Sequence, residues 1–477
     1  MVEFRNSFDK AGRLTGNAIA IGFNQAKRMM NDKVIRLAVT GLSRSGKTVF
    51  ITSLIQNLVA LGNGKNSLPD LVSCLDENGD TRLIKIHVVP AGDEVIPWFD
   101  FPAKLELLSS DSPVWPQPTD DLATISLTLE FRHKTTKFLG NKLMGLAREK
   151  FSGLAHVKLE ILDYPGEWLL DLPLLDLSFQ EWSRRTLEMM RLEPRAQCFA
   201  DFNKYVVDRI GIEGDMDEVL VRRAHQLFKK GLMECRETYG LQYLQPGRFI
   251  CPGPKGSDLP FLWFFPMEVG DAVPKSGSVA EQLVRRFEKY KDYVKAEFVK
   301  PYFSKFDRQI MLVDVLTALY KGRVAFDDTK RAIDDIATAL ASQKIKKLAV
   351  VATKADHVPP FSRVNLASLV KNLASGAILS RKSDDVSFHS VASIDSTTPT
   401  TVTIEGRSVA AVAGVVDGKL RPYYVGEVPP IVPEDEYFDH DFFHLPGFQP
   451  RKFDRSNEAI KQIGIDAVLR SIIGDDL

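Results

Sequence analysis

Cysteine is scarce in this chain. Four in 477 residues (Cys74, Cys198, Cys235 and Cys251), with no CxxC spacing, leave no basis for a zinc knuckle or a disulfide framework. Net charge is absent too: 62 Lys+Arg stand against 62 Asp+Glu, where a general nucleic-acid binder needs a basic excess. No apolar run approaches the roughly 18–20 residues of a membrane span, so no transmembrane segment is expected. The N-terminus carries Glu3 and Asp9 with only a short apolar stretch from Ala18 to Phe23, which is no signal peptide. Internal repeats and a G-x-S-x-G elbow are also missing, which leaves a Ser/His/Asp hydrolase unsupported. A soluble cytoplasmic protein of two or three domains is the expectation.

Against that background the chain alternates strand and helix patterns. Residues 1–33 read as a helical arm with six Lys/Arg against three acids; a membrane-surface arm and an ordinary packed helix both fit. Val34–Thr40 is a dense apolar run, the mark of a strand buried on both faces. Ile51, Leu54, Ile55 and Leu58 then follow helical spacing. Further strands are expected at Leu83–Val89, Ala123–Arg132, Val157–Leu162, Gln309–Val315, Lys347–Ala352 and Val386–Val391, and a helix at Asp327–Ala341. Six prolines between 90 and 118 predict a segment without regular structure. Residues 169–306 are dominated by helical periodicity, with Ser278 and Glu281 forming a capping box and a short hairpin near Phe261–Phe265. After residue 400 the chain turns to hairpin character (Thr400–Tyr424), a proline-rich acidic stretch and a last helix around Ile465–Ile472. The expected fold is α/β: a largely parallel sheet (34–168 and 307–400), an all-helical insertion (169–306), and a small C-terminal β-hairpin plus helix extension (401–477).

Gly41-Leu-Ser-Arg-Ser-Gly46-Lys47-Thr48 fits G-x-x-x-x-G-K-[ST] between a strand and a helix. The glycines let backbone N–H groups of the loop, Ser43, Arg44 and Ser45 included, converge on phosphate oxygens at a positive helix end. Lys47 would reach the β and γ phosphates, and the Thr48 hydroxyl would bind Mg²⁺. Asp163-Tyr-Pro-Gly166 closes another apolar strand, where Asp163 would hold the metal through water and the Gly166 amide would sense the γ-phosphate. Thr353-Lys-Ala-Asp356 follows a third strand. The Asp356 carboxylate offers two acceptor oxygens, and guanine presents N1–H and N2–H₂ as adjacent donors where adenine presents an acceptor and a donor. Lys354 would lay its stem over the base, and the loop at Ser390-Val391-Ala392 would bring a backbone amide to the guanine O6. GTP or GDP with Mg²⁺ is therefore the expected ligand set.

GLSRSGKTVFITSLIQNL, LEILDYPGEWLLDLPLL, VVATKAD and FHLPGFQPRKF…IDAVLRSIIGDDL together resemble the YcjX-like family of bacterial nucleotide-binding proteins. The resemblance spans almost the full length. It implies a Ras-like core interrupted by a helical insertion, and a stress-associated cytoplasmic GTPase. An unknown protein partner, associated with the inner membrane, also comes only from that resemblance.

Three positions depart from the common pattern or leave it open. Glu167 follows DxxG where many Ras-like enzymes carry Gln; a carboxylate can accept a bond from the attacking water but repels the γ-phosphate, so slow hydrolysis is expected. Arg44 sits inside the phosphate loop, either as a cis finger on the γ-phosphate or turned outward toward a partner or a facing acid. Thr119 and Thr124 are equal candidates for the switch threonine. His440 and His444, with Asp439 and Asp441, read as packing or solvated loop in preference to a metal site. Two other function classes stay open: a GDP- or GTP-bound scaffold without turnover, and an ATP-dependent kinase or ATPase.

Overall fold

The computed structural model describes residues 32–75, 81–90, 96–117, 121–133, 154–211, 214–253, 259–270, 274–341, 345–374, 378, 385–439, 444–455 and 458–477. Residues 1–31 of the N-terminal arm, Thr119, His440 and Asp441 lie outside them, while Asp32 and Lys33, expected in the arm, open the first strand. A seven-stranded sheet forms the centre, from β1 (Asp32–Gly41), β2 (Thr81–Val89), β3 (Ala123–His133), β4 (Leu154–Asp163), β5 (Arg308–Val313), β6 (Lys347–Ala352) and β7 (Val386–Ser390), in the order β2-β3-β4-β1-β5-β6-β7. β4, β1, β5, β6 and β7 run parallel. β2 and β3 are antiparallel to their neighbours, so the sheet is mixed.

The central strands β5 and β6 and the second half of β1 carry unbroken apolar runs because both of their faces are covered. Ile35, Leu37 and Val39 of β1 join one core with Ile310, Leu312, Ala349 and Val351. Against them lie α1 (Lys47–Gly62) and the C-terminal helix Ile465–Ile473. Ala38, Met311, Val313, Val350 and Ala352 point the other way, into a second core shared with the helices between β4 and β5. This period of two inside a continuous apolar run decides which helix covers which face.

Between β4 and β5 the chain is helical, as the periodicity predicts. After α2 (Phe101–Ser109), which precedes β3, come α3 (Phe179–Met190), α4 (Ala200–Arg209), α5 (Glu218–Glu237) and α6 (Val279–Val294). Ser278 caps α6 by accepting from the Glu281 N–H at 3.2 Å, while Glu281 reaches back to the Gly277 N–H at 2.7 Å. These helices bury an aromatic cluster in which Trp182 stacks on Phe287, centroids 5.2 Å apart. The cluster is continuous with the β5 and β6 side chains on that face of the sheet.

Three local expectations are corrected. The proline-rich segment contains α2, because Pro102 sits in its first turn, where no N–H is needed, and Asp100 accepts from the Ala103 N–H. Pro260–Leu262 is a 3-10 turn and no strand occurs at Phe261–Phe265; Phe264 and Phe265 are instead fully buried in the aromatic cluster. The C-terminal hairpin is a three-stranded antiparallel sheet, β8 (Thr397–Ile404), β9 (Arg407–Val416) and β10 (Lys419–Tyr423). Its turns are Glu405-Gly406 and Asp417-Gly418, all four residues at positive φ, the two-residue turn whose twist suits paired strands.

The segment after β4 is stapled to the insertion by Asp171, fully buried. Its carboxylate accepts from the Gly247 N–H at 2.8 Å and the Tyr290 hydroxyl at 2.7 Å. Burial pushes the Asp171 carboxyl up to about 6, against the lowering by Tyr290 and Arg248. A raised carboxyl contributes stability below its unfolded value of 3.8 and loses it as pH rises through about 6. The native chain should therefore lose stability relative to Asp171→Asn across that window, with the difference between them constant on either side of it. Urea melts at pH 4, 5, 6 and 7 check this; a pH-independent difference would contradict it.

Candidate functional site

The parallel strands end on one edge of the sheet, where open α/β sheets bind their ligands. Register brings Val39 of β1 level with Asp163, Gly41 with Leu312, and Ala352 with both Val313 and Ser390. The three motifs, spread over more than 300 residues of sequence, thus meet around one cavity of about 810 Å³. Gly41–Thr48, Glu167, Thr353, Lys354 and Asp356 line it, whereas Asp163, Gly166 and Val391 are not part of its lining.

At the end of the cavity lined by Gly41–Thr48, Gly46 has φ of 79° and starts α1 without any side-chain cap or acid in the first turn. The helix therefore offers its N-terminal end to an anion. Gly166 comes so close that a Cβ would lie 2.1 Å from the Gly41 carbonyl oxygen. Only glycine permits that contact between the second motif and the phosphate loop. Lys47 pairs with the Asp163 Oδ1, and both side chains are buried. The other Asp163 oxygen and the Ser45 hydroxyl are buried without a hydrogen-bond partner among the described residues. Thr48 and Asp163 are oxygen donors of the kind a hard cation takes, and Mg²⁺ commonly uses one or two protein groups besides phosphates and water. No cluster of three or more His, Cys, Asp or Glu exists among the described residues.

At the opposite end, Asp356 is 3% exposed. Its Oδ2 accepts from the Ser396 N–H at 3.1 Å and its Oδ1 lies 3.2 Å from the His357 Nδ1. Two carboxylate oxygens hold about four acceptor positions, so two remain for a base. Lys354 takes a left-handed φ of 62°, and its ammonium pairs with Asp314 at 2.5 Å and donates to Thr317 at 3.0 Å. Its stem is thereby stretched along the cavity wall. Asp314 also caps the short helix Val315–Tyr320 through the Thr317 N–H.

Two expected roles move. The Val391 N–H is already bonded to the Ala352 carbonyl at 2.8 Å and its side chain is buried, so it cannot serve guanine O6; Ala392, Ser393 and Ile394 line the cavity instead. The Thr124 hydroxyl donates to the Ile161 carbonyl at 3.2 Å within the sheet, which removes it as a switch residue.

Arg44, at φ 62°, turns outward and pairs with Glu237 of α5, a facing acid as one of its two readings required. Several cavity residues escaped sequence reasoning. Arg236 and Glu237 enter from the insertion, and Trp115 donates to the Phe448 carbonyl at 2.8 Å across the mouth. Asp314-x-x-Thr317 carried a legible capping signal at a strand end; the others carried none.

The model of the YcjX-like family, DUF463, matches residues 35–477. The chain belongs to this family. It is 33% identical over 479 residues to the Ras-like GTPase YcjX of Escherichia coli, covering 95% of this chain and 99% of the relative. It is 28% identical over 473 residues to the Ras-like GTPase YcjX of Shewanella oneidensis, covering 94% and 95%. The mixed α/β fold with its mostly parallel sheet is the one expected of a Ras-like member of the YcjX-like family. Among the described residues, no helix is long and apolar enough to cross a membrane.

Proposed function

We propose that this YcjX-like chain binds GTP and GDP in the 810 Å³ cavity and hydrolyses GTP slowly with Mg²⁺, as a molecular switch. The carrying observation is that Gly46, Lys47 and Thr48 line the same cavity as Lys354 and Asp356, with Gly166 packed against the Gly41 carbonyl behind the loop. In this reading the phosphate-loop amides and Lys47 hold the β and γ phosphates, while Lys354 and Asp356 hold the base. Bound through Thr48 and Asp163, Mg²⁺ would supply charge to the phosphate oxygens. Gly166 would report the γ-phosphate through its amide, and the Asp171 staple would pass that state to the insertion.

Glu167 is 8% exposed and faces Arg236 at 4.0 Å, placed to accept a bond from the attacking water but poorly placed electrostatically beside a γ-phosphate. That supports slow turnover. Stress association and a cytoplasmic setting rest on the family resemblance. Multiple-turnover phosphate release from GTP with and without Mg²⁺ tests the enzymatic reading. We expect Mg²⁺-dependent release, on the order of 10⁻³ per second or slower. GTP bound and returned intact over hours would make the chain a nucleotide-held scaffold. ATP turned over as fast as GTP would make it an ATPase or kinase.

A further inference from the structure

We propose that Arg236, carried into the cavity by α5 of the helical insertion, is the cation that supports the transferring phosphoryl group. The inference rests on the GTPase reading and deepens it, because neither Arg44 nor Lys47 is left to do this work unaided.

Arg236 and Glu237 are the last residues of α5 and line the same cavity as the phosphate loop. The helix end is fixed from behind: Ala224, Phe228, Leu232 and Cys235 are all buried in the insertion core. The Arg236 side chain is 15% exposed, and its Nε donates to Glu237 at 2.9 Å. Its Nη1 lies 4.0 Å from the Glu167 carboxylate, the residue that follows Gly166. Glu167 cannot retreat, since a Cβ on Gly247 would lie 1.8 Å from the Glu167 carbonyl oxygen, so that backbone is clasped from the insertion side. Arg44 grips Glu237 from the phosphate loop. The result is an alternating row, Arg44–Glu237–Arg236–Glu167, that closes one side of the cavity.

The row is neutral as it stands. A γ-phosphate arriving above Lys47 adds negative charge beside Glu167 and beside the carbonyl end of α5, both adverse to it. Arg236 is a cation in contact with Glu167 and Glu237 that lines the same cavity as Lys47, and its planar fork suits two phosphoryl oxygens at once. During hydrolysis a bond forms between water oxygen and the γ-phosphorus as the bond to the bridging oxygen breaks. The electron pair leaves with GDP, and the water proton passes to the released phosphate. Charge grows on the phosphoryl oxygens, which is where a preorganised cation lowers the barrier, and the proposal gives Arg236 that place. Arg44, committed to Glu237, then acts as the strap that sets the position of the row and not as the finger.

Single-turnover hydrolysis by the full chain loaded with GTP and Mg²⁺ tests this. Arg236→Ala should slow hydrolysis by about a thousand-fold while GDP affinity changes less than about two-fold. Arg236→Lys, which keeps charge and bulk, should fall between and serves if the alanine variant does not fold. GDP binding should tighten with aluminium fluoride in the native chain and not in Arg236→Ala. The loss should persist in a Glu167→Gln background, because Arg236 acts on phosphate and not through Glu167. The proposal is overturned by a full-speed Arg236→Ala, by a loss that vanishes with Glu167→Gln, or by Arg44→Ala alone carrying the effect. A native chain that binds no guanine nucleotide would overturn the GTPase reading itself, a result distinct from native turnover indifferent to Arg236.

Discussion

Asp356→Asn should invert the base preference of the cavity, moving the GTP-to-XTP affinity ratio by about ten-thousand-fold. Asp356 now accepts from donors, and guanine offers two on one edge. Asparagine keeps one acceptor oxygen and replaces the other by a donor, which matches xanthine, where a carbonyl takes the place of the amino group. Each mismatch leaves a buried polar pair unmet at about 2–3 kcal/mol, lost for GTP and regained for XTP. The Ser396 N–H, which donates to Asp356 Oδ2 at 3.1 Å, steers the introduced side-chain amide so that its oxygen takes that bond. Equilibrium binding of GTP, XTP and ATP to both chains decides it. An unchanged GTP-to-XTP ratio, or ATP bound as tightly as GTP by the native chain, would sink the base assignment.

The second large effect is at Lys47. Its ammonium satisfies Asp163, with the two side chains 10% and 1% exposed. Lys47→Ala strands that carboxylate, whose second oxygen already lacks a partner among the described residues, and should cost about 3–5 kcal/mol of stability. It should also weaken GTP binding by about a thousand-fold, since two charge-assisted bonds to phosphate are lost. The two effects separate in Lys47→Ala combined with Asp163→Ala. Removing the stranded charge should restore most of the stability and none of the binding. Denaturant melts read the first and nucleotide titration the second. A double variant as unstable as Lys47→Ala alone would mean that the pair is not what holds this part of the fold.

Much of this site was legible because its parts obey local rules. Gly46 is needed where the backbone goes left-handed, and Thr353–Asp356 starts where β6 leaves the sheet. Strand residues alternate between two cores even inside unbroken apolar runs, so element positions followed from apolar content alone. The orientation of β2 and β3 did not, because pairing direction leaves no trace in a strand's own residues. Arg236 and Glu237 were illegible for a different reason. On an amphipathic helix such as α5, a charged pair at the end reads as a solvated face, and only packing at a distance of 193 residues brings Glu237 to Arg44. The Trp115–Phe448 bond, spanning 333 residues, is hidden in the same way. The proline segment misled because proline breaks a helix only past its first turn, and Pro102 is not past it.

The strand order has a consequence for how the molecule is made on the ribosome. β1 takes β4 on one edge and β5 on the other, but β4 ends at Asp163 and β5 begins at Arg308, 145 residues later. At 5–20 residues per second the growing chain spends roughly 7–30 s with the second edge of β1 waiting for its neighbour. The Gly41–Thr48 side of the cavity is therefore synthesised well before the Thr353–Asp356 side. Because Ser396 supports Asp356, base recognition is complete only once residue 396 has emerged. In the proposed reading, translation completes the elements that would hold the triphosphate first and those that would select the base last.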